Sequence, residues 1–221
     1  MNKYVLLDFC ETVVDFQTFD VFILYVLQKK RPLIYKIFKC KIINFVLDKL
    51  TALSIICGHC YCFKKRCLVL FTKGISKDDF QFCGKEFYEN VLTKHFINDV
   101  LGLLEKFKKE KLEIIIISGG SNYYIDCFAK QYEIEHVITA KIAFKDNISE
   151  GRLENECLGK DKIKLLDKYM EKNKIHGKIA YTVTDSISDM PIIDRAEKAV
   201  IISYGKHKKW VNEKMEEIIW S

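Results

Sequence analysis

The sequence predicts an α/β protein: a mostly parallel sheet with helices on its faces, interrupted after the first strand by an all-helical insertion. Three observations carry that reading. Short continuous apolar runs at 4–7, 112–117 and 178–183 read as strands buried on both faces, the form parallel strands take. From about residue 96 onward such runs alternate with segments of helical periodicity, as βαβ units require. Between about 15 and 86 the apolar residues recur only at helical spacing, in a stretch rich in aromatic and basic residues.

Composition sets the outer bounds. A chain of 221 residues, 49% hydrophobic and 30% charged, can bury a full core and is neither disordered nor fibrous. With 2 prolines and 10 glycines there is little room for flexible linkers. The net charge of +6 is spread along the chain, which favours a small phosphorylated partner over nucleic acid. Nine cysteines, an odd number, and a first strand that begins almost at residue 1 with no leader ahead of it point to free thiols in a reducing cytoplasm. Apolar runs such as 21–27 are far shorter than the ~18 residues a membrane span needs, so no transmembrane segment is expected.

Taken in order, the first strand ends at Asp8. Helical spacing runs from 16 to about 50, with Lys29, Lys30 and Arg31 ahead of Pro32 marking a break between two helices. A third apolar segment covers 53–71, and Ser76-Lys77-Asp78-Asp79 reads as the capped start of a fourth helix. An amphipathic helix is expected over 96–110, a buried strand over 112–117 cut off by Ser118-Gly119-Gly120-Ser121, and a helix over 123–131. A strand over 136–144 can turn into a hairpin at Asp146-Asn147. Then follow a helix over 161–172, a strand over 178–183, a short strand over 199–203 and a mixed tail over 206–220 that reads as helical.

Three of these strands stop at chemistry-bearing residues: Asp8, Ser118-Gly119-Gly120 and Asp185. In a parallel sheet their ends share one edge, where ligands of α/β folds bind. Two carboxylates there suit a hard cation such as Mg²⁺, which takes oxygen ligands and leaves positions for a substrate phosphate. Ser118 and the glycine amides can hydrogen-bond phosphoryl oxygens at a helix N-terminus, and Lys162, at the head of a helix, can balance the charge.

Four stretches in this order, Asp8-Phe9-Cys10-Glu11-Thr12, Ile117-Ser118-Gly119-Gly120, Cys157-Leu158-Gly159-Lys160-Asp161-Lys162 and Asp185-Ser186-Ile187-Ser188-Asp189, resemble the haloacid dehalogenase (HAD) superfamily of phosphohydrolases. The branch is the one similar to phosphoserine phosphatase. The resemblance implies a Rossmann-like core, residues 1–14 and 90–221, with a small helical cap, residues 15–89. It implies that Asp8 attacks phosphorus to form an aspartyl-phosphate, that Asp8, Asp185 and the Cys10 carbonyl hold Mg²⁺ with Asp189 in support, that Ser118, Gly119 and Gly120 bind the phosphoryl group, and that Lys162 offsets its charge. Thr12 would fasten the loop after the first strand.

Two positions depart from the family pattern. Where such phosphatases carry a second Asp that protonates the leaving oxygen, this chain has Cys10, and a thiol is a poor substitute; Glu11 is the nearest alternative acid. The reading is therefore an active phosphatase with help from elsewhere, with a weak or silent phosphate-binding relative as the alternative and phosphoryl transfer to an alcohol as a third. The position that reads the ammonium of phosphoserine is Gln17 here, which cannot pair with that charge, so a phosphosugar or another phosphorylated metabolite fits better.

Other signals read as structural. Cys57 and Cys60 have metal-ligand spacing, and Cys62 and Cys67 follow, but without a second pair the thiols read as small apolar residues rather than a zinc site. Lys64-Lys65-Arg66 and Lys206-His207-Lys208-Lys209 read as solvated faces, or else as contacts for an anionic substrate or a membrane surface. Tyr123 and Tyr124 read as packing, and His95, His136 and His176 as non-catalytic.

Overall fold

The computed structural model describes residues 2–56 and 63–221 of the chain. The seven strands are β1 (Asn2–Leu7), β2 (Glu113–Ser121), β3 (His136–Lys145), β4 (Ile148–Asn155), β5 (Gly177–Thr184), β6 (Ala196–Tyr204) and β7 (Met215–Trp220). They form one sheet in the order β4-β3-β2-β1-β5-β6-β7. Every neighbouring pair is parallel except β3 and β4, an antiparallel hairpin. Its turn is Asp146-Asn147, both at positive φ (49° and 65°), the backbone of the tight hairpin turn the sequence suggested.

Strand order reverses beside β1, whose neighbours are β2 on one side and β5 on the other. That reversal opens a crevice at the carboxyl end of β1, where Asp8 follows Leu7. Successive residues of β1 and β2 serve opposite faces, as a period of two dictates. Val5, Leu7, Ile114 and Ile116 join one apolar cluster; Tyr4, Leu6, Ile115 and Ile117 join a second, with Leu166 and Ile192.

Between β1 and β2 lie α1 (Thr18–Lys30), α2 (Pro32–Phe38), α3 (Lys41–Ile56), α4 (Phe63–Leu70), α5 (Lys77–Asn90) and α6 (Asn98–Lys109). Pro32 sits in the first turn of α2 and Ser76 caps α5 by accepting from the Asp79 amide at 3.1 Å, as expected. The expected second helix, however, is divided at Lys39 and Cys40, and the third apolar segment is shared between the end of α3 and α4. α3 is apolar enough along its length that periodicity alone does not show where it stops. The remaining helices are α7 (Asn122–Gln131), α8 (Lys160–Lys172) and the short α9 (Met190–Ile193).

The insertion packs on one face of the sheet through aromatic rings. Phe22 of α1 meets Phe87 at 5.5 Å and Tyr124 at 5.1 Å between centroids, and Phe80 meets Phe144 of β3 at 5.4 Å. α5 crosses α7 at Gly84, where an added Cβ would lie 2.4 Å from the Tyr123 carbonyl oxygen. Tyr123 and Tyr124 are buried packing residues, as read from the sequence.

The tail is not helical. Residues 215–220 form the parallel edge strand β7, in register from Ala199↔Met215 to Tyr204↔Trp220. Ile218, Ile219 and Trp220 favour a pleated surface, and the lysine-rich residues 206–209 lie in the connecting loop. Glu217 fastens this strand by accepting from Ser203 Oγ, from the Lys208 amide at 2.9 Å and from His207 Nδ1 at 2.6 Å. Burial alone would raise its pKa, but these bonds hold the carboxyl at about 2, below the ordinary 4.5. A depressed carboxylate contributes stability above its unfolded value that is lost as pH falls through its folded value. Amide exchange of β7 should therefore quicken as pH drops from about 4.5 to about 2, after correction for the intrinsic rate. Glu217→Gln should flatten that window; an unchanged profile in the variant would assign the acid sensitivity elsewhere.

Among the described residues no helix is long and apolar enough to cross a membrane.

Candidate active site

The loop after β1 begins with Asp8, whose amide donates to the Val183 carbonyl of β5 at 2.9 Å. It then folds back so that the Val13 and Val14 amides reach the Phe9 carbonyl at 2.9 and 3.2 Å. The reversal needs Glu11 in the left-handed region (φ 53°), a strained backbone for a non-glycine residue. Thr12 is fully buried and donates to Asp185 Oδ1 at 3.5 Å, tying this loop to the end of β5.

Lys162, in the first turn of α8, is 3% exposed and lies 3.1 Å from Asp8 Oδ1 and 2.7 Å from Asp189 Oδ2. Thr184 Oγ1 also donates to Asp189 Oδ2 at 2.7 Å, so Asp189 is fixed from two sides and in turn fixes Lys162. Burial alone would lower the pKa of Lys162, but the Asp8 and Asp189 carboxylates more than offset this and keep it protonated. Asp8 is pushed above the ordinary carboxylate range, chiefly by burial, against the pull of Lys162. Its Oδ1 is buried without a hydrogen bond; the 3.1 Å approach of Lys162 is an ion pair rather than a directed bond. Asp185 is pushed up to about 7, first by burial and then by repulsion from Asp8.

A cavity of about 230 Å³ gathers Asp8, Cys10, Gln17, Gly119, Lys162, Asp185 and Asp189. Ser118 and Gly120 stand behind its wall. The fully buried Ser118 Oγ accepts from the Gly120 amide at 3.2 Å and lies 3.6 Å from Cys10 Sγ. β2 continues through Ser121, so α7 begins at Asn122 and the expected helix N-terminus does not lie at Ser118. Cys10 is occupied: its Sγ is 2.9 Å from Thr18 Oγ1, which is 2.6 Å from the Tyr124 hydroxyl, which accepts from the Ser121 amide. Burial, then Asp8, push the thiol up. Glu11 is exposed, takes a hydrogen bond from Gln17 and lines a separate open cleft of about 830 Å³ rather than this cavity. The chemistry belongs to the smaller cavity, which holds Asp8 and Lys162; the larger one meets it at Asp185.

Two basic stretches read as solvated are not wholly so. Lys65 is 4% exposed, and its Nζ donates to the Gly119 carbonyl at 2.8 Å and the Glu156 carbonyl at 3.3 Å. It lines the cavity together with Phe19 and Asp20 of α1. Its one signal in the sequence is helical spacing with the buried Leu68, Val69 and Thr72, over a stretch too short to set it apart from the cations beside it. Lys208, on the β6–β7 loop that returns over the strand ends, hydrogen-bonds the Asp185 carbonyl and lies 3.3 Å from its Oδ2. Cys57, Cys60 and Cys62 lie outside the described residues; Cys67 is a free thiol in α4. His95 pairs with Asp15, and His136 lies near the Tyr169 hydroxyl, both away from the cavity.

Among the described residues no three His, Cys, Asp or Glu side chains are grouped to hold a metal ion. Of the four aspartates lining the cavity, Asp189 is held by Lys162 and Thr184, while Asp8 has an unsatisfied buried oxygen and Asp185 is raised in part by its neighbour. That donor set, completed by a backbone carbonyl, fits an oxygen-seeking divalent cation.

A mostly parallel sheet whose strand-order reversal carries a buried Asp paired to a lysine, with further Asp residues at the next strand end, defines a Rossmann-like α/β fold with a buried acidic site. A family model for haloacid dehalogenase-like hydrolases matches residues 5–194, and the chain belongs to that family. Phosphoserine phosphatase of Lactococcus lactis subsp. lactis (strain IL1403) is 22% identical over 103 residues, 46% of this chain and 48% of that protein. The chain thus spans about half the length of this curated relative. Among solved structures, a protein of unknown function from Bordetella pertussis Tohama I superposes with a TM-score of 0.73 at 11% identity, over 91% of this chain and 90% of its own. A phosphoserine phosphohydrolase-like protein from Francisella tularensis subsp. tularensis SCHU S4 gives 0.58 at 20% identity, over 90% and 87%. These likenesses establish the fold.

Proposed function

We propose that this chain is a phosphomonoesterase that transfers the phosphoryl group of a small phosphorylated metabolite to Asp8 and then to water. The supporting observation is Asp8 itself: a buried carboxylate at the strand-order reversal, with one oxygen free of hydrogen bonds and Lys162 held beside it. Asp8, Asp185 and the Cys10 carbonyl would hold Mg²⁺, which when bound polarises the phosphoryl oxygens and neutralises their charge. Lys162 lends a fixed positive charge to the same oxygens, and Asp189 and Thr184 keep it aimed. Gly119 on the cavity wall, with Ser118 and Gly120 directly behind it, would receive the transferred group. Residues 15–89 serve as a cap over the core formed by 1–14 and 90–221, shielding the site from water. Gln17 on the cavity wall favours a neutral polar substrate such as a phosphosugar over phosphoserine. The cysteine usage supports a reducing, cytoplasmic setting.

One observation favours a second reading. Cys10 Sγ is engaged by Thr18 and does not offer the proton that a carboxylic acid there would supply. A silent phosphate-binding relative would show no turnover in wild type and a gain of about 10²–10⁴-fold over background in Cys10→Asp. The expected result is turnover by wild type on a panel of phosphosugars and aryl phosphates, lost on chelation of divalent cations. Turnover indifferent to chelator, or present only in Cys10→Asp, would overturn the proposal.

A further inference from the structure

We propose that Lys65 is the catalytic acid that protonates the leaving-group oxygen, the task that Cys10 does not perform. This rests on the phosphomonoesterase reading. Lys65 enters the cavity from helix α4 of the insertion, whereas Asp8 enters it from the sheet edge. In-line displacement puts the leaving oxygen on the far side of phosphorus from the nucleophile. The Lys65 ammonium has three protons: two go to the Gly119 and Glu156 carbonyls, leaving one for a ligand. The 2.8 Å bond to Gly119 fixes Nζ against the end segment of β2 expected to hold the phosphoryl group.

Its surroundings suit proton donation. Nζ lies 4.0 Å from the centre of the Phe19 ring, and no described carboxylate forms an ion pair with it. The groups facing it are Cys10 on the catalytic loop, Asp20 on α1, and Glu156 and Cys157 beyond β4. Burial lowers the Lys65 pKa below the ordinary lysine value, and those neighbours draw it only partly back. A buried lysine shifts in this way where an arginine does not, which makes it usable in acid–base chemistry.

In the first half-reaction an Asp8 oxygen bonds to phosphorus, the bond from phosphorus to the ester oxygen breaks, and that oxygen takes a proton from Lys65, giving the alcohol and a neutral amine. In the second, which is common to all esters, water attacks the aspartyl-phosphate and its proton leaves with the departing phosphate, which passes one proton to the amine once hydrolysis is complete. Asp8, hydrogen phosphate and the Lys65 ammonium result, so charge and protons balance.

The test compares a poor and a good leaving group in the Mg²⁺-supplied full chain: an alkyl or sugar phosphate against p-nitrophenyl phosphate. Lys65→Met should lower kcat on the alkyl ester by about 10²–10⁴-fold and on the aryl ester by less than about tenfold, because nitrophenolate leaves without a proton. The aryl activity is the folding control. Lys65→Arg keeps the charge but cannot release its proton, so it should show the same selective loss. Equal losses on both esters, recovery of the alkyl ester by Lys65→Arg, or a selective loss in Asp20→Asn in place of Lys65→Met would overturn the assignment. Wild-type turnover of the aryl ester that disappears in Asp8→Asn keeps the parent reading intact whichever way this falls. A wild type inert on both esters removes the parent reading and this inference together.

Discussion

Asp8→Asn is expected to reduce turnover of every phosphomonoester to background, a loss of about 10⁴-fold or more, while leaving the chain folded. The amide has the size of the carboxylate but neither its nucleophilic oxygen nor its charge, and losing one member of a catalytic unit costs about as much as losing the unit. Folding should survive because Lys162 keeps Asp189 at 2.7 Å and Asp189 keeps Thr184. The check is steady-state kcat on the aryl ester, joined to acid quenching that traps a phosphorylated chain in wild type and none in the variant. Residual activity above a tenth of wild type would deny Asp8 the nucleophile's role.

Lys162→Met should cost about 3–5 kcal/mol of stability, the usual result of removing one partner from a buried ionic group. Its side chain is 3% exposed, those of Asp8 and Asp189 are 8% and 1%, and the lysine is the cation both carboxylates touch. Without it two negative charges would remain buried together. The double variant Lys162→Met/Asp189→Asn should recover part of the loss, since only one charge is then stranded. Urea unfolding midpoints measure both. A single-variant loss below about 1 kcal/mol would mean that the site relaxes to admit water, and that Lys162 does not stabilise this buried group.

What the sequence showed of this site follows from how each residue is delivered. Asp8 and Asp185 follow directly on apolar strands, and Ser118 stands where the apolar run of β2 stops three residues before the strand does, so an abrupt change of polarity marks each of them. Lys162 and Asp189 were visible through motif order. Lys65 was hidden because it sits between Lys64 and Arg66, both bonded to acidic side chains, and a run of three cations reads as a wet surface. Only the helical register separates the buried one from its neighbours, and α4 is too short for periodicity to announce itself. Lys208 was obscured by the tail read as helical: it follows closely on the carboxyl end of β6, before the loop turns back to the amino end of β7, and so lies beside the end of the neighbouring β5. Cys10 was visible as a departure, yet its engagement with Thr18 and Tyr124 depends on residues 8 and 114 positions away, which no local pattern connects.

The aromatic packing of the insertion has a consequence for how the molecule comes apart. Phe22, Phe80 and Phe87 are fully buried and touch Tyr123, Tyr124 and Phe144 of the sheet side. Exposing three phenylalanines costs roughly 5–9 kcal/mol at 1.5–3 kcal/mol each, comparable to the entire stability of an ordinary domain. α1 and α5 therefore cannot melt or swing away while the sheet stays folded. The two regions share one cooperative unit and should unfold in a single transition.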